Sequence, residues 1–146
     1  MKLVVGITGS TGVIYGIRLL EILKRLNIET HLVMSQWAEK CISMETNHDL
    51  NYVKSLATES SDEANMAASI SSGTHKTDGM IVIPCSMKTL SSVANGYDET
   101  LVARAAGVML KESRKLILVV RETPLTAINL ENMLKLARLG VVILPP

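Results

Sequence analysis

Short apolar runs rich in β-branched residues alternate with stretches of helical periodicity along the whole chain. This alternation constrains the fold more than any other feature. Lys2 to Thr8, Glu29 to Met34, Gly79 to Pro84, Lys115 to Val120 and Val141 to Leu144 read as buried strands, with Pro84 ending the third. Between the first two, Val13 to Leu26 places Ile14, Ile17, Leu20, Leu23 and Leu26 near one helical face, and Asn27 marks the stop. Ser35 is a natural cap for a helix through Trp37 to about Met44, and Ser86 for a shorter one to about Ala94. Thr100 to Ser113 carries Leu101, Val102, Ala105, Val108 and Met109 at helical spacing, and Leu125 to Leu139 ends at Gly140, a C-cap position. Residues 47–78 are polar and without clear period; one or two short helices and a loop are expected there.

Alternation without repeats or an interior linker implies parallel strands joined by right-handed crossovers. The expected fold is a single α/β domain over residues 1–146: a doubly wound, mostly parallel sheet in a three-layer sandwich. The chain is long enough for one compact core, and with no Phe that core must be built from Leu, Ile, Val, Met and Ala. Aromatics at 3% and a net charge of +1 disfavour nucleic acid, which wants stacking platforms or a positive field. No apolar run approaches the roughly 18 residues of a membrane span. The start of the chain reads as a first strand rather than a secretory signal. Cys41 and Cys85 are too few for a disulfide framework and lack zinc spacing, so a reduced, cytoplasmic setting is expected.

Ligands of doubly wound sheets bind beyond the carboxyl ends of the strands. That points to Thr8–Gly12, Ser35–Trp37, Pro84–Thr89 and Arg121–Pro124. Gly9-Ser10-Thr11-Gly12 follows a strand and opens a helix, so its amides and hydroxyls suit an anion; the alternative is a tight turn that holds nothing. It is not a full G-x-G-x-x-G, and the second strand ends in Ser35 rather than an acidic residue, which favours a mononucleotide phosphate over NAD. Ser86, Met87, Lys88 and Thr89 offer small polar groups and an ammonium at a helix start. Cys85 is either a thiol activated by that helix start or, more ordinarily, a buried packing residue. Arg121 offers a fork of donors for a phosphate, carboxylate or flavin carbonyl, and Glu122 a general acid or base; the alternative is a local ion pair. Arg104 and Lys111, seven apart on one helix, share a face and either suit a phosphate or form a solvated flank. His31, His48 and His75 have no metal-type spacing, and no metal is expected.

These loops, in this order, resemble the flavin prenyltransferase family (UbiX-type), whose members are also called phenolic or aromatic acid decarboxylases. The likeness rests on Gly6-Ile7-Thr8-Gly9-Ser10-Thr11-Gly12, Ser35 with Trp37, Pro84 through Leu90, Ala94-Asn95-Gly96, Arg104-Ala105-Ala106, Leu110-Lys111-Glu112, Arg121-Glu122-Thr123-Pro124-Leu125 and Leu130-Glu131-Asn132-Met133-Leu134. The resemblance implies a Rossmann-like flavoprotein that binds FMN at subunit interfaces of a homododecamer built from trimers. It implies transfer of a dimethylallyl group from dimethylallyl phosphate to reduced FMN, with the product passing to a UbiD-type decarboxylase. It places Gly9, Ser10, Thr11, Ser35, Ser86, Met87, Lys88, Thr89 and Arg121 at FMN, Glu122 as the acid–base residue, and Arg104 and Lys111 as the cations of the prenyl-phosphate pocket. The family continues past the position of Pro145-Pro146 with a Pro-x-Phe-Tyr segment and a final helix that bring a Tyr and another cation to the prenyl phosphate, and it often has Asp where Gly107 stands. Two other readings share the fold. One is an FMN-dependent decarboxylase of the cysteine-decarboxylase group, and the other a non-catalytic flavin-binding component of a phenolic acid decarboxylase.

Overall fold

The strand at Lys2–Ile7 (β1) is flanked by Glu29–Met34 (β2) on one side and Gly79–Cys85 (β4) on the other, parallel to both. Glu59–Asp62 (β3) pairs outside β2, and Lys115–Val120 (β5) and Val142–Ile143 (β6) extend the sheet beyond β4. The computed structural model describes residues 1–146, and its six strands run all parallel in the order β3-β2-β1-β4-β5-β6. Winding reverses between β1 and β4, so a crevice opens at their carboxyl ends.

Side chains alternate across the strands and feed two cores. On one face, Val5, Ile7, Leu32 and Met34 pack under Val13–Arg25 (α1), Gln36–Glu45 (α2) and Leu50–Ser55 (α3), through Ile17, Leu20, Leu23, Ala38, Ile42 and Val53. On the other, Val4, Val33, Met80, Val82, Leu116, Leu118 and Val120 pack under Met87–Ala94 (α4), Leu101–Lys111 (α5) and Ala127–Arg138 (α6). Seven residues of α5 are buried, including all five of its apolar residues named from the sequence. The three layers are those expected.

Three expectations are corrected. Residues 47–78 hold a strand as well as a short helix: β3, Glu-Ser-Ser-Asp, is an edge strand paired on one side only, so it needs no apolar pattern. Pro84 does not end its strand. β4 runs on to Cys85 across a register shift between Val82 and Cys85, and a bulge is where a sheet tolerates a residue without an N–H. α1 stops at Arg25, and Leu26 is 63% exposed rather than part of the packed face, because Asn27 turns the chain with φ 55°.

Candidate functional site

The carboxyl ends of β1 and β4 are tied together by one buried side chain. Thr8, 1% exposed, donates its hydroxyl to the Pro84 carbonyl (2.8 Å), and its Oγ1 accepts the Ser86 N–H (2.8 Å). The Thr8 N–H also donates to the Pro84 carbonyl (3.2 Å). This bracket fixes where the chain leaves both strands, and hence where α4 begins. Gly9 then passes so close to α2 that a Cβ on it would collide with Cβ of Trp37. The absence of a side chain at Gly9 lets the two segments meet.

Two helix starts face the resulting cavity of about 300 Å3. Ser35 caps α2 by accepting the Ala38 N–H (3.0 Å), and Ser86 caps α4 by accepting the Thr89 N–H (3.2 Å). The lining includes Gly9, Ser35, Trp37, Ser86, Lys88 and Thr89, with Glu63, Ser92 and Thr100 across from them. Helix starts, hydroxyls and an ammonium together form a donor set for a phosphate monoester. Trp37 is 64% exposed at the rim, with Lys40 Nζ 4.6 Å from its ring centroid.

The sequence-predicted residues divide around this cavity. Gly9, Ser35, Ser86, Lys88 and Thr89 line it; Ser10, Thr11, Met87 and Arg121 do not. The glycine turn is less open to an anion than its spacing suggests, since the Gly12 N–H already donates to Glu45 Oε2 (3.0 Å). Arg121 and Glu122 lie exposed just beyond β5. Because Cys85 pairs with Val120, they emerge beside the start of α4, at the same edge of the sheet as the cavity. No ion pair joins them to each other. Arg104, one turn into α5, is held by Asp98 (Nη1 to Oδ2, 2.9 Å) and by the Ser71 carbonyl (Nε, 3.0 Å). Lys111 is the last residue of α5, 64% exposed and 3.5 Å from Glu112. It sits at the amino edge of the sheet, about 16 Å along the helix axis from Thr100. A single chain therefore brings Arg104 to the carboxyl edge but not Lys111.

Cys85 is fully buried, and burial pushes its thiol up to about 12, which leaves it a packing residue rather than a nucleophile. A smaller cavity of about 210 Å3 between Arg114, Lys115 and Leu139 lies at the opposite, amino edge, away from these groups. No group of three or more His, Cys, Asp or Glu is arranged to hold a metal ion, and no helix is long and apolar enough to cross a membrane.

Sequence reasoning missed Glu63 and Glu45. Glu63 Oε2 accepts the Gln36 N–H at the start of α2 (3.1 Å), while its carbonyl accepts the Leu101 N–H at the start of α5 (3.0 Å). Burial holds its carboxyl above the usual range, Asp62 and Glu39 adding to this while the Gln36 amide and Lys88 oppose it. Glu63 directly follows β3, so recognising that strand would have placed it at a carboxyl end, where ligands bind.

A doubly wound sheet with a phosphate-suited cavity at its switch point defines a nucleotide- or flavin-binding protein. The chain belongs to the Flavoprotein family, whose model matches residues 1–146. It is 56% identical over 147 residues to a probable UbiX-like flavin prenyltransferase of Escherichia coli O157:H7, spanning all of this chain and 75% of that one. Among solved structures it superposes with a TM-score of 0.98 on a dodecameric FMN-dependent UbiX-like decarboxylase from the same organism, at 56% identity, covering 100% of this chain and 80% of that one. It matches AnUbiX (PadA1) in complex with FMN and dimethylallyl pyrophosphate equally well, with a TM-score of 0.98 and 52% identity over 99% of this chain and 77% of that one.

Proposed function

We propose that this protein is a flavin prenyltransferase that moves a dimethylallyl group from dimethylallyl phosphate to reduced FMN. The observation that carries the reading is the cavity where the starts of α2 and α4 converge with Lys88, in a chain 56% identical to a UbiX-like flavin prenyltransferase. Ser35, Ser86, Thr89 and the Lys88 ammonium hold the FMN phosphate, and Gly9 keeps the approach open. Ser10, Thr11, Met87 and Arg121 surround the rest of the cofactor. Reduced FMN, when bound, supplies the nucleophilic ring that accepts the prenyl group.

The chain's own work is on the phosphate that leaves. Breaking a C–O bond to phosphate builds charge on oxygen, and fixed cations stabilise that charge. Arg104 is the cation this reading assigns to that task; its Nε and Nη1 are anchored by the Ser71 carbonyl and Asp98, and Nη2 is left to bind. Glu122, beside Arg121 at the carboxyl edge, manages the proton on the departing phosphate. In this reading Lys111, at the amino edge, serves such a pocket from another copy; the solved relative from Escherichia coli O157:H7 is a dodecamer. The prenylated flavin passes to a UbiD-type decarboxylase, in the cytoplasm. The cavity alone serves a flavin carrier equally well, and the similarity to UbiX-like flavin prenyltransferases favours the transferase.

Release of inorganic phosphate from dimethylallyl phosphate tests the reading. Release that depends on reduced FMN is expected, and no release above a protein-free control overturns it.

A further inference from the structure

Glu63 is the one carboxylate among the groups lining the cavity, and it faces donors that a phosphate would use. The first turn of α2 shows the conflict. Ser35 Oγ takes the Ala38 amide (3.0 Å), and Glu63 Oε2 takes the Gln36 amide (3.1 Å). The helix start is thus already satisfied by an internal anion. The backbone that carries Glu63 is itself held, its carbonyl accepting the Leu101 N–H at the start of α5 (3.0 Å).

We propose that Glu63 is a built-in competitor for the cofactor's phosphate, so that FMN enters this cavity with uptake of a proton at Glu63. The inference rests on the reading of the cavity as the FMN phosphate site. A phosphate and an ionised carboxylate in a space of about 300 Å3 repel each other, and neutralising Glu63 removes the repulsion while its carbonyl oxygen still accepts the Gln36 N–H. The charged groups that face Glu63 are Lys88 from α4, Asp62 from β3 and Glu39 from α2. Burial favours the protonated carboxyl, with Asp62 and Glu39 adding to it while the Gln36 amide and Lys88 oppose it, and the proton is taken up from solvent. Lys88, which lines the same cavity and forms no ion pair with Glu63, is left to the phosphate. The consequence is selectivity of timing rather than of shape: the site binds FMN more weakly as pH rises, beyond what the phosphate's own ionisation dictates.

The test is flavin binding, read by fluorescence, for the wild type and Glu63→Gln from ~pH 6 to ~pH 8.5, with riboflavin as the phosphate-free control. Gln preserves the acceptor for Gln36, and circular dichroism confirms that the variant folds. The expected result is that Glu63→Gln binds FMN about tenfold more tightly at the alkaline end, loses the extra pH dependence, and binds riboflavin as the wild type does. The proposal is overturned if the wild type prefers FMN to riboflavin but Glu63→Gln binds FMN no more tightly, with the same pH dependence. If the wild type binds FMN no better than riboflavin, the phosphate reading of the cavity fails, and the proposal fails with it.

Discussion

Lys88, Arg104 and Glu122 carry the three separable tasks of the proposed reaction: holding a cofactor phosphate, holding a substrate phosphate and moving a proton. Lys88 lines the cavity, Arg104 is doubly anchored, and Glu122 stands exposed at the same edge. Changing Glu122→Gln keeps shape and most hydrogen bonding, so prenyl transfer should slow by about 100-fold or more while FMN affinity stays close to that of the wild type. Turnover at saturating flavin, measured beside FMN binding, checks this. A variant with normal turnover removes Glu122 from the mechanism, and a variant that loses FMN instead makes it a partner of the cofactor. The position of Arg121 and Glu122 beyond β5 was legible because a charged pair directly after five apolar strand residues is conspicuous. Glu63 was not, because the strand before it has no apolar residue to announce it.

At the scale of elements, the sheet's interior strands were readable and its edge was not. β1, β2, β4 and β5 are buried on both faces, which forces continuous apolar sequence; β3 is held by its ladder to β2 and by side chains instead. The chief of these is His31, 3% exposed on β2, with Nε2 2.7 Å from Ser61 Oγ and Nδ1 3.2 Å from a Glu59 carboxylate oxygen. Burial pulls the His31 pKa below its ordinary value, with Lys2 and His75 acting the same way against Glu59. A base whose folded pKa is lowered is equally neutral in both states above the unfolded value of about 6.5, so stability is unaffected there. Below that value the unfolded chain takes up a proton that the folded chain resists, and stability falls. The wild type should therefore lose more thermal stability on acidification from ~pH 7.5 to ~pH 5.5 than His31→Gln does, as followed by melting temperature. Equal losses would contradict the assignment. Across the sheet, Gly16 lets α1 settle onto β4: a Cβ there would lie 2.6 Å from the Ile83 carbonyl oxygen and 2.8 Å from Ile7 Cδ1. Gly16→Ala should cost about 1–3 kcal/mol in chemical denaturation, and an unchanged midpoint would show that the contact yields freely.

At the scale of the whole molecule, the proposed reaction site needs more than one copy of the chain. Arg104 and Lys111 share a helix, yet α5 carries them toward opposite edges of the sheet, a separation that helical spacing alone does not reveal. Leu130 and Leu134, one turn apart on α6, also remain exposed, as does Ile128 on another side of that helix. Light scattering should accordingly report a mass several times that of one chain at micromolar concentration, and a monomer would leave Lys111 outside the mechanism. The fold class followed from alternation, and the cofactor class from loops at the carboxyl edge. Binding at subunit interfaces came only from the family resemblance, because periodicity and spacing do not say which copy a side chain serves. Prenyl transfer to flavin is read from the mass spectrum of the flavin released after anaerobic incubation with reduced FMN and dimethylallyl phosphate. A flavin heavier than FMN by one prenyl unit is expected. Recovery of FMN alone, from protein that binds it, would rule out the transferase and leave a flavin carrier in its place.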